Sequence, residues 1–249
     1  SFVSADSGVC DWTLGAWPFD STTAMLTLHS GHKPTAVLDK AVVADLVAAI
    51  RASDFQRVRT NAIGPWLADQ LASFGFRLRQ ELDLLVLRDV AQIPSGSPAR
   101  GTKRVRPRSA VKIDVAAFGD EWALDAAALH HAIGATARSR LRGVGSRKGL
   151  VSGRCVGYHL TGITDDIAYL QRLAVIPSAQ RRGAASALVN DALRWATEQG
   201  AHDVFVNTDV DNVAALSLYR QWGFVSVGYH LRVLECDRTT LIGNLPGRS

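Results

Sequence analysis

The chain has 249 residues, 47% of them hydrophobic, and a formal net charge of +5. This length allows one large or two small domains with a substantial core. The modest positive charge suits an anionic small ligand and does not demand nucleic acid. No apolar stretch of about 18 residues occurs, so no membrane span is expected. The widely spaced cysteines, Cys10, Cys155 and Cys236, are expected to be reduced thiols of a cytoplasmic protein, without a metal site.

The N-terminal part of the chain alternates turn signals with short β-type runs over residues 12–38. Apolar residues at helical spacing then predict a helix over residues 39–53. A strand is predicted at 58–61 and a helix over 66–74 that ends at Gly75. The Leu- and Val-rich run 82–87 predicts another strand.

The same order of elements is predicted in the C-terminal part. A helix (184–199), a strand (204–207), a helix ending at Gly223 and a strand (229–235) follow one another. Gly75-Phe76 corresponds to Gly223-Phe224, and Asp89 to Asp237, at one offset of 148 residues. This indicates a weak internal repeat. A chance likeness between two β-α-β endings is the alternative.

Residues 91–112 are predicted to be a linker, since proline, glycine and serine at 94–98 break regular structure. Basic residues follow with no acid between them: Arg100, Lys103, Arg104, Arg106, Arg108 and Lys112. A solvated, flexible connector is expected. A basic lip that attracts an acidic substrate or phosphates is the alternative.

Beyond the linker, a helix is predicted from Phe118 through Ile133, before an arginine-rich stretch at 138–148. His130 and His131 lie in this helix. They are interpreted as surface or packing residues, because no metal-type partner is suitably spaced from them.

The most informative stretch is a predicted strand, turn and helix between Tyr169 and Ala196. The apolar run 170–176 is stopped by Pro177, and helical spacing resumes after Arg182. The turn carries Gln180, Arg181, Arg182, Gly183, Ala184, Ala185 and Ser186. Backbone N–H groups and the positive end of the helix dipole meet here, which predicts an anion site. An ordinary turn with solvated arginines is the alternative.

A second motif follows about one strand later, with Asn212, Ala215, Tyr219 and Gly223-Phe224 on one helix. Together the two motifs resemble the coenzyme A site of the GCN5-related N-acetyltransferase (GNAT) family. The family pattern Gln/Arg-x-x-Gly-x-Gly/Ala matches Gln180, Gly183 and Ala185. The lead-in Leu-Ala-Val-x-Pro, ending at Pro177, matches as well.

The resemblance implies an α+β fold, with a mixed, mostly antiparallel sheet flanked by helices and two such units in tandem. Residues 1–90 would be a degenerate unit without a coenzyme site, 91–112 the linker, 113–237 the catalytic unit and 238–249 a tail. In the first unit, residues 30–35 lack the Gln/Arg-x-x-Gly-x-Gly/Ala pattern of the anion loop at 180–186. Leu71 stands where the second unit has Tyr219.

The resemblance also implies how the site works. Acetyl-CoA would be the co-substrate, contacted by backbone groups of Leu173, Ala174 and Val175, by residues 180–186 and by Asn212. Tyr219 would protonate the departing thiolate; a packing tyrosine is the alternative. Asn212 would otherwise be only a helix-start residue, with Asp211 as the cap.

The general base is where this chain departs from the family pattern. Many relatives carry a Glu where this chain has Tyr169. Asp165, Asp166 or Asp209 acting through water, or an amine that arrives neutral, are the alternatives left open, and no base is assigned.

The sequence therefore predicts an acetyl-CoA-dependent N-acetyltransferase acting on a primary amine of a small metabolite or a peptide, by direct attack. A monomer or homodimer without membrane or nucleic-acid partners is expected. The alternative is a non-catalytic acyl-CoA-binding module that acts through a protein partner.

Overall fold

The computed structural model describes residues 3–5, 11–17, 20–29, 38, 40–92, 101–145 and 155–243. The predictions for the 30–35 segment, the linker centre (93–100), Cys10, Arg147 and Lys148, and the tail after 243 lie outside these residues. The chain forms two compact units. The first comprises Ser1–Asp83, Asp209–Asp211 and Gly228–Ser249, and the second comprises Leu84–Thr208 and Asn212–Val227.

Strands and helices alternate along the described chain. The strands are β1 (Val3–Ala5), β2 (Asp11–Trp17), β3 (Asp20–His29), β4 (Arg57–Thr60), β5 (Arg77–Leu87), β6 (Thr102–Arg104), β7 (Arg138–Gly145), β8 (Cys155–Thr164), β9 (Ile167–Val175), β10 (Asp203–Asp209) and β11 (Val225–Asp237). The helices are α1 (Lys40–Ala52), α2 (Pro65–Ala72), α3 (Pro107–Phe118), α4 (Ala126–Gly134), α5 (Ala184–Glu198), α6 (Val213–Gln221) and α7 (Arg238–Gly243).

The first unit has the strand order β1-β2-β3-β4-β11, in which only β3 and β4 pair in parallel among the registers of its described residues. Its core includes Trp12, Leu26, Ile50 and Leu71. Buried Arg59 of β4 donates to Glu235 of β11 at 2.8 and 2.6 Å. Because these two residues are also directly paired across the strands, the ion pair fixes β11 in register beside β4.

The second unit has the strand order β5-β10-β9-β8-β7-β6, with β9 and β10 parallel and β6 to β9 antiparallel. Helices cover both faces of this sheet. On one face α3 and α4 bury Ile113 and Leu129 against Tyr158 and Leu160. On the other face α5 and α6 pack apolar side chains against the sheet: Val189, Ala192, Leu193 and Leu216 with Ile163, Ala168 and Leu170. The predicted fold class, a mixed and mostly antiparallel sheet flanked by helices in two units, is confirmed.

The predicted repeat has a structural counterpart. In each unit a helix leads from one strand to a parallel neighbour, β3 to β4 and β9 to β10. The following helices end alike, since Phe76 N–H bonds to Leu71 O and Phe224 N–H to Tyr219 O. The glycines before these phenylalanines have φ of 93° and 87°, a conformation that favours glycine.

The unit boundaries differ from the predicted ones because the last strand of each repeat ends in the other unit. Strand β11, which follows the second repeat, lies beside β4 from Gly228 onward. The end of β5, which follows the first repeat, lies beside β10. Strand neighbours are set by tertiary pairing, so the linear boundaries at 90 and 237 do not describe these compact units.

Two local predictions were wrong. The linker does not reach residue 112, because β6 pairs with β7 and α3 starts at Pro107, a residue suited to the first turn of a helix. The helix predicted from Phe118 to Ile133 is instead the end of α3 and all of α4. Gly119, at φ 71°, ends α3, and the carboxylate of Asp125 caps α4 through Ala128 N–H. The arginine-rich stretch from Arg138 is strand β7, which was not predicted.

The remaining predicted helices and strands are confirmed, with ends shifted by a few residues. Among the described residues, no helix combines the length and apolar character needed to cross a membrane.

Strand β8 packs closely against the end of β9, so a larger side chain at Gly157 of β8 is predicted to reduce stability. A Cβ on Gly157 would lie 2.8 Å from Ala174 O and 2.9 Å from Val175 Cγ2, both on β9. Gly157→Ala should therefore lower the free energy of unfolding by about 1–3 kcal/mol, measured by urea denaturation. Gly134→Ala, at a helix position with open space, is the matched control and should change it by less than about 0.5 kcal/mol. Equal stability of the two variants would contradict this.

Candidate functional site

The loop between β9 and α5 has the conformation of an anion site. One 3-10 turn, Pro177–Ala179, follows β9, and α5 begins after Gly183. Arg181 and Gly183 have φ of 54° and 75°, the left-handed region that glycine adopts readily and arginine rarely. These two residues turn the chain into α5, whose first N–H groups have no acceptor within the helix.

Electrostatics at the start of α5 also favours an anion. No acidic residue lies in its first turn, and Gly183, the N-cap residue, has no side chain to cap the helix. Arg181, Arg182 and Gly183 are exposed, and a Cβ built on Gly183 would meet nothing within 4 Å. The helix dipole and the two arginines thus make the start of α5 electropositive. Ala184 is buried and Ala185 and Ser186 are half-buried, so small side chains flank the loop.

Gln180 connects this loop to the strand before it. Its Nε2 donates to the carbonyl of Val175 at 3.2 Å. The side chain therefore orders the loop relative to the end of β9, a role that its exposed position would not suggest.

Strands β9 and β10 separate close to this loop. They pair at Ile167–Asp203, Ala168–Val204 and Tyr169–Phe205, and no further pair occurs in this fully described part of the chain. Strand β9 nevertheless continues to Val175, paired only with β8. The backbone edge of residues 170–175 that faces away from β8 is therefore open to a ligand. Leu173, Ala174 and Val175 lie on this edge, and their side chains pack into the cores.

A β-bulge lies where the strands separate. Leu160 pairs with Arg172 and Thr161 with Leu170, which leaves Gln171 as the extra residue. A bulge bends its strand and increases the local twist. It therefore helps to turn β9 away from β10.

Helix α6 begins at the second motif. The side chain of Asn212 accepts from Ala215 N–H at 3.1 Å, so Asn212 and not Asp211 is the N-cap. Seven residues later Tyr219 is 4% exposed and packs against Phe224, with ring centroids 5.6 Å apart. Burial raises the pKa of the Tyr219 phenol, so it stays protonated and able to donate a hydrogen bond at neutral pH.

The candidate bases lie at different distances from Leu173 on the open edge. Asp165 and Asp166 form the turn before β9, roughly 20 Å or more from Leu173 by strand rise. Asp209 is the last residue of β10, and its oxygens accept from Gln80 Nε2 and Asp211 N–H. It shares a face of β10 with Phe205 and Asn207 by strand alternation. Tyr169, at the point of separation, stacks on Phe205 with centroids 6.0 Å apart.

A buried carboxylate that the sequence analysis missed holds the α3–α4 connection. Asp114 is 0% exposed and accepts from Tyr158 Oη at 2.6 Å, from Arg172 at 2.9 and 2.7 Å, and from Leu124 N–H at 2.6 Å. Arg172 also donates to Trp122 O. The connection is thereby tied to β9. The sequence contained two signals for this ion pair: an acidic residue, Asp114, in the apolar run of α3, and an arginine, Arg172, in the apolar strand β9.

A second missed carboxylate, Asp191 of α5, fixes that helix to the sheet. It accepts from Arg140 at 2.8 and 3.0 Å, from Thr102 Oγ1 at 2.6 Å and from His159 Nε2 at 3.0 Å. Burial alone would raise the pKa of Asp191, but these hydrogen bonds outweigh it and hold the pKa well below its usual value. The helix that carries the anion loop is thus anchored to β6, β7 and β8.

His159 in this cluster is fully buried and uncharged. Burial lowers its pKa, and this outweighs the opposite effect of Asp191. Because Asp191 is ionised, Nε2 of the imidazole carries the proton, and Nδ1 accepts from Thr161 Oγ1 at 2.8 Å.

Comparison with known proteins agrees with this geometry. Residues 113–224 match the sequence profile of the family described as acetyltransferase (GNAT) family. A mycothiol acetyltransferase from Arthrobacter sp. (strain FB24) is 35% identical over 79 residues, which are 29% of this chain and 24% of that protein. The N-alpha-acetyltransferase MAK3 of Arabidopsis thaliana is 32% identical over 98 residues, 36% of this chain and 52% of that protein. The chain thus spans about a quarter to a half of these relatives.

Solved structures extend the likeness to nearly the whole chain. A tandem GNAT protein from the clavulanic acid biosynthesis pathway has a TM-score of 0.64 at 16% identity, covering 98% of this chain and 82% of that one. A GCN5-related N-acetyltransferase from Kribbella flavida has a TM-score of 0.63 at 17% identity, covering 95% and 90%. Residues 113–224 are therefore similar to the GNAT family in sequence, and nearly the whole chain is similar in fold to structures of that family.

The buried imidazole of His159 predicts how the free energy of unfolding changes at acidic pH. In the unfolded chain His159 takes up a proton below its usual pKa of 6.5, whereas the folded protein resists this. Stability should therefore fall as the pH drops from 6.5 towards 5, by up to about 1.4 kcal/mol per pH unit. His159→Gln should be less stable at pH 8 but should lose this slope in urea denaturation curves.

Exposed His202 is the control for this experiment. Its pKa is raised by the hydrogen bond to Asp203 and the charge of Asp89, so it contributes stability that is lost as the pH rises. His202→Gln should therefore steepen the acid loss. An unchanged slope in His159→Gln would contradict the buried, neutral assignment.

Proposed function

We propose that the protein is an acetyl-CoA-dependent N-acetyltransferase whose active centre is the gap between β9 and β10. The observation that carries this is the juxtaposition of an anion loop with an open strand edge on the same β9–α5 connection. A ligand with a phosphate group and an extended amide-bearing arm, as in coenzyme A, suits that combination.

In this proposal the pyrophosphate lies on the N–H groups of residues 183–186, and Arg181 and Arg182 supply opposite charge. The pantetheine arm runs along the open edge of β9, where backbone groups of Leu173, Ala174 and Val175 hydrogen-bond to it. Asn212, at the start of α6, contacts the coenzyme from the other side of the gap. Open space over Gly183 and the small residues after it support this fit.

The acceptor is a primary amine of a small molecule or peptide, and the reaction is direct attack in a ternary complex. The amine nitrogen forms a bond to the thioester carbon while backbone N–H groups of β9 stabilise the charge that develops on oxygen. The carbon–sulfur bond then breaks, and Tyr219 donates a hydrogen bond and a proton to the leaving sulfur. Because burial raises the pKa of Tyr219, this transfer requires a thiolate that is itself shielded from water.

The relatives support the reaction class, since both are named as acetyltransferases. We assign catalysis to the second unit, which contains Gly183 and Tyr219, and regard the first as a degenerate unit with Leu71 in place of the tyrosine. The division into a unit without a coenzyme site, a linker, a catalytic unit and a tail stays a prediction.

A second candidate is a non-catalytic acyl-CoA-binding protein that acts through a partner. The observation in its favour is Tyr169, an aromatic residue at the point where the strands separate. Release of free thiol from acetyl-CoA upon addition of amines distinguishes the two, because only the enzyme produces it.

The proposed anion site at the start of α5 is tested by two variants of Gly183 whose side chains differ in charge but not in size. Gly183→Asp should weaken acetyl-CoA binding about 100-fold or more, because it puts a negative charge where the pyrophosphate lies. Gly183→Asn is the matched control: Asp and Asn are similar in shape, and both tolerate positive φ. It should bind more tightly than the Asp variant by most of that factor. Calorimetry showing equal affinity of the two folded variants would refute the anion site.

The proposed role of Tyr219 as general acid is tested by removing its hydroxyl group. Tyr219→Phe should reduce kcat by about 10²- to 10⁴-fold while acetyl-CoA affinity and stability change little, because packing against Phe224 is retained. Tyr229→Phe, at an exposed tyrosine of β11, is the control and should turn over normally. Turnover of Tyr219→Phe within about twofold of wild type would assign Tyr219 to packing alone.

A further inference from the structure

We propose that the side chain of Asn61 occupies, inside the first unit, the place on a strand edge that an extended, amide-bearing ligand would take. The first unit thus holds a latent edge site of the same kind as the open edge of β9, and its own side chain keeps that site closed. The basis is the repeat, so the proposal stands whether or not the second unit binds acetyl-CoA.

The strand registers of the two units correspond residue by residue. In each unit a valine of the second parallel strand pairs with an alanine of the first: Val58 with Ala24 and Val204 with Ala168. Three residues after these valines lie Asn61 of the first unit and Asn207 of the second. The two asparagines therefore occupy equivalent positions, at the end of the pairing between the parallel strands.

Leu28 of β3 is the counterpart of Leu173 on the open edge. Their partners on the neighbouring strands are Trp12 of β2 and His159 of β8, each four residues before the partner of the alanine. Backbone groups alternate in direction along a strand, and Ile176 N–H bonds to β8, so Leu173 N–H points away from β8. The two leucines thus direct equivalent backbone groups into the gap beside them.

In the first unit these backbone groups are bonded to a side chain. Leu28 N–H donates to Asn61 Oδ1 at 3.0 Å, and Asn61 Nδ2 donates to Leu28 O at 3.3 Å. One carboxamide thus satisfies both backbone groups of one residue, as the amide of a bound ligand would. Asn61 is itself held in place, since its backbone N–H bonds to Leu26 O at 2.9 Å.

A β-bulge accounts for the difference between the two units. Strand β9 contains the extra residue Gln171 before Leu173, whereas β3 pairs with β2 without a bulge from Ala24 to His29. A bulge bends its strand. Strand β3 therefore stays within reach of a short side chain on β4, while Asn207 on β10 is exposed.

The internal amide excludes a dilute ligand. A tethered group acts at an effective concentration of about a millimolar or more, so a ligand at micromolar concentration does not displace it. Residues 30–35 also lack the sequence pattern of the anion loop. The ligand class that suits the emptied edge is therefore a neutral chain with amide groups, such as pantetheine, which carries no phosphate.

Amide hydrogen exchange, measured by NMR on the full chain, tests the occupancy. In wild-type protein Leu28 N–H should exchange at least about tenfold more slowly than Leu173 N–H, because only Leu28 has a hydrogen-bond partner across the gap. Asn61→Ala should speed exchange at Leu28 at least about tenfold. Asn207→Ala, the matched control, should change it less than about twofold. Unchanged exchange at Leu28 in Asn61→Ala would overturn the proposal.

Titration with millimolar pantetheine tests whether the emptied edge takes a ligand. The Leu28 amide signal should shift in Asn61→Ala, with an apparent dissociation constant at least about tenfold lower than in wild type. Asn61→Ser, which keeps a hydroxyl group, replaces Asn61→Ala where that variant does not fold, with the same expectation. Equal affinity at Leu28 in wild type and variant would show that Asn61 closes nothing. No shift in a folded variant would show that Asn61 only joins two strands. Either result would overturn the proposal.

The Leu173 signal in the same titration reports on the proposed function separately. It should shift with pantetheine in wild type and in Asn61→Ala alike, because the open edge of β9 is the same in both. A Leu173 signal that does not shift counts against the coenzyme edge of the second unit alone. The comparison at Leu28 concerns only the first unit, so the two failures are distinguishable.

Discussion

Strand β9 pairs with β8 along nearly its whole length but with β10 only at its start, and the candidate site depends on this difference. A strand that pairs on both sides has no backbone groups to offer a ligand. By leaving β10 after Tyr169, β9 keeps its regular structure and still presents an unpaired edge up to Val175. The anion loop follows immediately, so the edge and the loop are positioned by the same few residues.

Two buried carboxylates keep this arrangement in place from opposite faces of the sheet. Asp114 holds α3 and the α3–α4 connection against β9 through Arg172. Asp191 holds α5 against β6, β7 and β8. Each carboxylate is well supplied with donors, which offsets the cost of removing its charge from water. The helices on the two faces therefore have fixed positions relative to the strand between them.

The last strand of each repeat ends in the other unit, and this makes the folding of the two units interdependent. The strand that follows the first repeat contributes to the second unit, and the strand that follows the second repeat contributes to the first. Cutting the chain in the linker would remove β11 from one unit and the end of β5 from the other. Each unit thus needs a strand segment from the other half of the chain, whether or not the first unit binds a ligand.

The sequence by itself determined the local features: helices α1, α5 and α6, the strand that stops at Pro177, the glycine turn before α5 and the two motifs of the family. These depend on residues close together in the chain, through hydrophobic period, proline and glycine geometry and helix capping. It also supplied the resemblance to the GNAT family, because motif spacing is a property of the chain alone. Gly119 and Asp125 could have indicated that α3 and α4 are separate helices, but this was missed.

Only the tertiary structure decided that Asp114 and Asp191 are buried anchors, that β9 leaves β10 at Tyr169, and that β5 and β11 each end in the other unit. Each of these depends on partners more than 30 residues away, and no local pattern specifies which distant strand or side chain will supply the missing hydrogen bonds.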